Sequence, residues 1–191
     1  MCSSDLLAEL RAARAQLELA REELAQAGEP VPHKVPVGIM VELPSAAAIA
    51  DRLAAECDFF SVGTNDLIQY SMAIDRLNPS VAYLYRPLHL AILRTLDFVA
   101  KAAREAKISV AMCGEMAGDP FYAAVLVGLG FNELSMAATS IPMVKRVIRA
   151  LRADDARTLV QEVMSHTASE DLEDLVRAWM SERFGHLLEP G

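Results

Sequence analysis

Three short apolar runs, each closed by a carboxylate or a thiol, constrain the fold of this chain more than any other feature. They cover residues 37–42 (VGIMVE), 59–66 (FFSVGTND) and 110–115 (VAMCGE). Runs without polar alternation are typical of parallel strands buried on both faces. Polar groups at the carboxyl ends of successive parallel strands converge on one site in α/β barrels. The sequence therefore predicts a functional site at one edge of a parallel sheet.

Strands and helices alternate along the chain, which predicts an α/β fold with a parallel sheet and right-handed crossovers. Four strands are too few to close an eight-stranded barrel, so we expect a small open sheet or the second half of a TIM-type barrel. The predicted strands are 37–42, 59–62, 108–112 and 133–136. The predicted helices are 4–27, 45–56, 64–73, 88–106, 120–128, 142–151, 153–165 and 169–184.

The first predicted helix is built from good helix formers, and Ser3 or Ser4 is expected to cap it. We expect it to pack on the core, because its pattern covers too few heptads for a coiled coil. Its apolar stripe consists of Leu6, Leu10, Ala13, Leu17, Ala20 and Leu24.

Three other helices have predicted ends or faces. Pro44 opens an alanine-rich helix over 45–56. Gly128 and Gly130 are expected to break the helix that precedes the fourth strand. The inner side of helix 88–106 is predicted to carry Leu90, Leu93, Leu96, Phe98 and Val99.

Composition argues against several classes of protein. The chain has 18 basic and 26 acidic residues, a net charge of −8 and no basic stripe, so we expect no nucleic-acid partner. The three cysteines lie far apart, which favours a reducing compartment. The N-terminus does not resemble a signal peptide, and no apolar stretch approaches the roughly 20 residues of a membrane span. We therefore expect a cytoplasmic protein without a membrane partner.

Two carboxylates, Glu42 and Asp66, follow the first two predicted strands. Each alone is better explained as a helix N-cap or a solvated turn than as a metal ligand. Together, at matching strand ends, they favour Mg²⁺, which binds oxygen ligands and keeps positions for substrate and water.

A polar turn over 63–66 leads into the helix after the second strand. Exposed amides at a helix N-terminus suit an anion such as phosphate, and Asn65 and Arg76 add donors. The alternative, a plain capped helix with Arg76 in a surface ion pair, is equally supported by the spacing.

Cys113 stands at the end of the third predicted strand beside Gly114, where a ligand can approach. A thiol in that place can act as a nucleophile or a general acid. We expect Cys57 to be an inert buried thiol and Glu115 to cap the next helix. The four histidines, His33, His89, His166 and His186, show no metal-binding spacing and no paired nucleophile.

The segments GIMVELPSA, DFFSVGTNDLIQY, AIDR, AMCGEMAGDP and GLGFNELSMAATSIPMVKRVIR span much of the chain. Together they resemble the phosphoenolpyruvate-utilising enzymes. The resemblance implies a barrel that binds phosphoenolpyruvate (PEP) and Mg²⁺. It implies that Glu42 and Asp66 hold the metal. Asn65 and Arg76, with Asp66, would bind the substrate, and Cys113 would protonate the enolate carbon to give pyruvate.

The resemblance is greatest to the branch of this family that passes phosphate from PEP to a protein histidine for sugar transport. It implies a phosphocarrier protein as partner, reached through an N-terminal domain, and either a homodimer or a first half-barrel. None of the four histidines lies in the phosphoacceptor motif. We expect residues 1–191 to form one half-barrel domain that does not turn over PEP alone. It would comprise a leading helix (1–30), βα units (37–150) and C-terminal helices (151–191).

Two alternatives stay open from the sequence. A fragment of pyruvate phosphate dikinase or PEP synthase would share the barrel and the metal pair. A non-catalytic interaction module is the other, because a half-barrel exposes two sheet edges, at 37–42 and 133–136, and open edges attract partners.

Overall fold

The computed structural model describes residues 7–167 and 171–188. Their centre is one sheet of four parallel strands in the order β1-β2-β3-β4. The predicted α/β class with a parallel sheet is therefore confirmed, and the predicted edge strands are the edges. The strands are β1 (Gly38–Val41), β2 (Phe59–Gly63), β3 (Ser109–Cys113) and β4 (Glu133–Leu134).

Helices connect and flank these strands, and none of the described helices is long and apolar enough to cross a membrane. A short 3-10 helix at Ala82–Leu84 lies in the loop between α4 and α5. The α-helices are α1 (Leu7–Gln26), α2 (Pro44–Ala48), α3 (Ala50–Ala54), α4 (Thr64–Ser71), α5 (Leu90–Ala106), α6 (Glu115–Gly118), α7 (Ala123–Leu129), α8 (Ile141–Ala150), α9 (Ala153–Ser165) and α10 (Leu172–Leu188).

The sheet has one buried face, and its side chains share a hydrophobic cluster with those of α5. Buried and partly exposed residues alternate along β1 to β3, as the two-residue period of a strand requires. Burying one such large side chain contributes about 1.5–3 kcal/mol. The buried face consists of Ile39, Val41, Phe60, Val62, Val110 and Met112.

The other face of the sheet, here called the open face, stays partly exposed. The expectation of strands buried on both faces is therefore wrong for the described residues. This face carries smaller and more polar side chains, which form rows across the strands. Its residues are Gly38, Met40, Phe59, Ser61, Ser109, Ala111, Cys113 and Glu133.

Helix α1 meets the core only near its start. Leu10 is its one buried residue among those described, and Leu24 is 48% exposed, so the predicted apolar stripe is only partly an inner face. Arginines complete the docking, since Arg11 donates to the Glu56 carboxylate and Arg14 donates to the Glu56 carbonyl oxygen. The predicted caps at positions 3 and 4 lie outside the described residues.

Two predicted helices differ from the structure. The helix over 45–56 is divided into α2 and α3, because Ile49 leaves the helical region with φ −116° and ψ 23°. In α5 the predicted inner residue Phe98 is 44% exposed. Phe98 lies about 200° around the helix from buried Leu96, at 100° per residue, so the two cannot share a face.

Gly128 does not end a helix but lies inside α7, and Gly130 alone forms the C-terminal cap with φ +98°. At Gly128 the helices α7 and α9 approach closely. A Cβ there would lie 2.3 Å from the carbonyl oxygen of Ala156. The residue is needed for packing between helices.

Gly128→Ala is therefore expected to destabilise the fold, although alanine is the better helix former. The helices must move apart to admit the methyl group, at a cost of about 1–3 kcal/mol. Urea unfolding followed by circular dichroism measures the change.

The matched control is Gly185→Ala in α10, where nothing lies within 4 Å of the added Cβ. That change is expected to be neutral or to stabilise by up to about 1 kcal/mol. Equal stability of the two variants would contradict the close α7–α9 packing.

Candidate functional site

The parallel register aligns the carboxyl ends of the strands in one row. Val41 pairs with Val62, and Gly63 pairs with Cys113. On the far side of β3, the Ser135 N–H donates to the Met112 carbonyl oxygen at 2.8 Å. The row across the sheet is therefore Glu42, Gly63, Cys113 and Ser135.

Gly63 leaves room for the side chain of Glu42. A Cβ at Gly63 would lie 3.0 Å from the Glu42 Cβ and 3.2 Å from its Oε2. The Glu42 side chain therefore lies against Gly63 on β2, the residue that pairs with Cys113. The side chains of Glu42 and Asp66, both half-buried, make no ion pair or hydrogen bond within residues 7–167 and 171–188.

Asn65, in the first turn of α4, is held by two donors to the same oxygen. Its Oδ1 accepts from the Glu115 N–H at 3.2 Å and from the Tyr85 hydroxyl at 3.4 Å. Burial, with a smaller contribution from Glu115, raises the pKa of Tyr85 to about 12, so the hydroxyl stays a donor at neutral pH. The NH₂ group of Asn65 is then the end of the amide that can donate to a bound anion.

Arg76 lies in the loop after α4 and pairs with Glu115, with Nη1 and Oε1 3.4 Å apart. The Arg76 side chain is 33% exposed and that of Glu115 is 73% exposed, so the pair is weak and can exchange partners. The expected cap at Glu115 is wrong. Gly114 occupies the N-cap position of α6, and no side-chain cap is formed there.

The Cys113 thiol lies between two groups of β2. Its Sγ is 3.3 Å from the Ser61 hydroxyl oxygen, which donates to it, and 3.3 Å from the Val62 carbonyl oxygen, which accepts from it. The Thr64 hydroxyl donates to the Cys113 carbonyl oxygen at 3.1 Å. These contacts fix the end of β3 against the start of α4.

An open cavity of about 660 Å³ lies beside these groups. Asn65 and Cys113 line it together, whereas Glu42, Asp66 and Arg76 are not among its lining residues. Arg76 reaches its rim through Glu115. The cavity is lined by Asn65, Cys113, Gly114, Glu115, Gly118, Asp119, Pro120, Ser135, Met136, Ala137 and Ser140.

The donor set fits a hard cation such as Mg²⁺ in part. Glu42 and Asp66 offer unpaired carboxylate oxygens near adjacent strand ends, which is the chemistry that Mg²⁺ prefers. Within the described ranges no cluster of three or more His, Cys, Asp or Glu side chains is arranged to hold a metal. A cation there would need further oxygens from substrate and water, as Mg²⁺ sites normally do.

Sequence reasoning missed two residues of this site. Ser61 could have been found, because it lies two positions before Gly63 and a strand places such residues on the same face. Tyr85 had no local signal, since it reaches Asn65 from 20 residues away. Cys57 is buried as expected, and burial raises its pKa to about 11. His89 caps α5 by accepting from the Ala91 N–H at 3.2 Å.

A site at the carboxyl ends of parallel strands is typical of α/β proteins, in barrels and in open sheets. Residues 5–153 match the family described as PEP-utilising enzyme, PEP-binding domain. The chain belongs to this family.

Curated relatives agree with this assignment. The chain is 46% identical over 169 residues to the phosphoenolpyruvate-protein phosphotransferase of Bacillus subtilis, covering 88% of the chain and 30% of the relative. It is 46% identical over 171 residues to that of Staphylococcus carnosus, covering 90% and 30%. It is 45% identical over 175 residues to that of Geobacillus stearothermophilus, covering 92% and 30%. The chain thus spans about 30% of the length of these relatives.

The environments of the two described cysteines predict different reactivity. At pH 8 iodoacetamide is expected to alkylate Cys113 at least about tenfold faster than Cys57, because Cys57 is buried and few of its thiols are ionised. Below the Cys57 pKa of about 11, its alkylation rate is expected to rise about tenfold for each added pH unit, because its thiolate fraction rises by that factor. Mass spectrometry of the two peptides measures both rates.

Denaturation in urea serves as the control and should remove most of the difference between the two cysteines. Equal rates for Cys113 and Cys57 in the folded protein at pH 8 would contradict the assigned environments.

Proposed function

We propose that this chain supplies the PEP- and magnesium-binding strand ends of a phosphoenolpyruvate–protein phosphotransferase. In this reaction PEP and a protein histidine give pyruvate and phosphohistidine. The observation that carries the proposal is the shared cavity of Asn65 and Cys113, near two carboxylates that have no partner in the part of the chain that the structure describes. The names of the curated relatives support this reaction over that of a dikinase or synthase.

Substrate binding is the role we assign to Asn65, Asp66 and Arg76. The Asn65 NH₂ group donates to a phosphate oxygen while Tyr85 and Glu115 hold its carbonyl oxygen. Arg76 exchanges its exposed partner Glu115 for the substrate phosphate, to which a guanidinium binds through two parallel hydrogen bonds. Positioning of this kind is most of what phosphoryl transfer requires of a protein.

Metal binding is the role we assign to Glu42 and Asp66. Mg²⁺ held there would supply charge neutralisation at the phosphoryl and enolate oxygens of the substrate. The two carboxylates keep the cation site at the carboxyl end of the sheet.

Proton transfer is the role we assign to Cys113. The P–O bond of PEP breaks as the P–N bond to the acceptor histidine forms, which leaves the enolate of pyruvate. The thiol proton of Cys113 then goes to the enolate carbon, and the thiolate regains a proton from solvent. The acceptor histidine would belong to another part of the enzyme, which we expect to pass the phosphoryl group to a phosphocarrier protein.

The wider setting follows from the same proposal. We infer a cytoplasmic enzyme of sugar transport that works as a homodimer or with a first half-barrel. A non-catalytic interaction module is the second candidate, favoured by the edge positions of β1 and β4 and by the partly exposed open face. Open edges and faces of this kind attract partners.

Mn²⁺, a paramagnetic substitute for Mg²⁺, tests whether Glu42 and Asp66 bind a metal ion. PEP is expected to tighten Mn²⁺ binding at least about tenfold, because each ligand supplies contacts to the other. Glu42→Gln is expected to weaken Mn²⁺ binding in the presence of PEP at least about tenfold, since a charged ligand is lost. Electron paramagnetic resonance of free Mn²⁺ measures both effects.

Two variants sharpen this test. Gly63→Ala should also weaken Mn²⁺ binding, because its methyl group displaces Glu42 while its φ of −87° suits alanine. Glu133→Gln is the matched control, since Glu133 is an exposed acid on β4 of the same face. Mn²⁺ binding that is the same with and without PEP, and the same in Glu42→Gln, would contradict the proposed function and favour the interaction module.

Turnover by the 191 residues alone is a separate question. We expect no pyruvate release from PEP with Mg²⁺ and a phosphocarrier protein, because four strands of a barrel provide only part of a site. A lactate dehydrogenase-coupled assay measures pyruvate. Clear turnover would contradict this expectation, and PEP-dependent Mn²⁺ binding without turnover would support it. Gel filtration with and without ligands reports whether a dimer forms.

A further inference from the structure

The Cys113 sulfur has two neighbours on β2 with different functions. The Val62 carbonyl oxygen accepts the thiol proton, whereas the Ser61 hydroxyl donates to the sulfur itself, each at 3.3 Å. Rotation about the Cβ–Sγ bond turns the proton away from Val62 and leaves the sulfur in place. The Ser61 hydrogen bond survives that rotation because it is made to the sulfur.

The strand register explains why Ser61 can reach the thiol. Ser61 pairs with Ala111 and Gly63 pairs with Cys113, so Ser61 lies one pleat before Cys113 on the open face. Gly63 has no side chain to separate the two groups. Within the described residues the Ser61 hydroxyl makes one side-chain hydrogen bond, and it is to Cys113.

Charged groups lie on the elements around the thiol, but among the described residues the Ser61 hydroxyl is the side chain that donates to its sulfur. The acids on these elements are Glu42 after β1, Asp66 in α4, Glu115 in α6, Asp119 after α6 and Glu133 in β4. Cations lie near two of them, since Arg76 pairs with Glu115 and Arg177 of α10 interacts with Asp119. The neutral donor on the sulfur is therefore the direct contact that can favour a thiolate.

We propose that Ser61 is a positioning residue for Cys113, which holds the sulfur at the cavity and stabilises the thiolate left when the proton is given away. This inference rests on the proposed function of Cys113 as the proton donor. A hydrogen bond to a charged acceptor is stronger than one to a neutral acceptor, so the Ser61 donor favours the ionised thiol.

The test measures the alkylation rate of Cys113 by iodoacetamide between pH 6 and 10, without PEP or metal. In Ser61→Ala the midpoint of the rate profile is expected to rise, with about a three- to tenfold change in the thiolate equilibrium. Ser61→Thr keeps the hydroxyl and should restore the original midpoint. Ser109→Ala, an exposed serine of the same face on β3, should leave it unchanged. Mass spectrometry of the Cys113 peptide gives each rate.

Two outcomes would overturn the proposal. One is an unchanged midpoint in Ser61→Ala. The other is faster alkylation at every pH with the same midpoint, which would mean that Ser61 only covers the sulfur.

Cys57 is the internal reference for an intact fold, because loosening of the core would expose it. If Ser61→Ala increases the alkylation rate of Cys57, the fold has loosened, and the comparison of Ser61→Val with Ser61→Thr then tests the proposal instead. These two side chains have the same shape, and the proposal then requires the higher midpoint in Ser61→Val.

Failure of this inference and failure of the proposed function are distinguishable. A raised midpoint in Ser61→Ala, together with Mn²⁺ binding that does not depend on PEP, would support the role of Ser61 in stabilising the Cys113 thiolate and contradict the assigned reaction. An unchanged midpoint with PEP-dependent Mn²⁺ binding would do the reverse.

Discussion

The parallel hydrogen-bond register of β1, β2 and β3 is the constraint on which the candidate site depends. It aligns Glu42, Gly63 and Cys113 in one row, although they are far apart in the chain. A slip of one residue in any strand would turn its row residue to the opposite face. The buried face holds the register in place, because such a slip would also expose large apolar side chains such as Phe60 and Met112.

The two faces of the sheet divide stability from chemistry. One face packs large side chains into the hydrophobic cluster, while the open face carries mostly small or polar groups, with Met40 and Phe59 as its large apolar residues. Small residues let functional groups of neighbouring strands come close: the Glu42 side chain lies against Gly63, and the Cys113 thiol contacts Ser61. An exposed face of this size would cost more if it were made of large apolar side chains.

Loops bring the remaining groups to the edge of the sheet. Tyr85 and Arg76 both lie in the connection between α4 and α5, and they contact Asn65 and Glu115 respectively. Asn65 and Glu115 are themselves joined by the Glu115 N–H. These contacts link one loop to the ends of two strands, so movement of the loop changes both the amide and the arginine of the site.

The sequence by itself determined the class of fold, the four strands and the polar residues at their ends. Periodicity and turn residues are local properties, and apolar runs that end at Glu42 and Cys113 are visible without coordinates. Only the tertiary structure decided where the second helix breaks, at Ile49, and where two helices pack closely, at Gly128. It also decided the contacts of the site residues, which are the Arg76–Glu115 pair and the Ser61–Cys113 hydrogen bond. Such contacts join residues that are distant in the chain, or depend on space between packed elements, and local pattern carries no information about either.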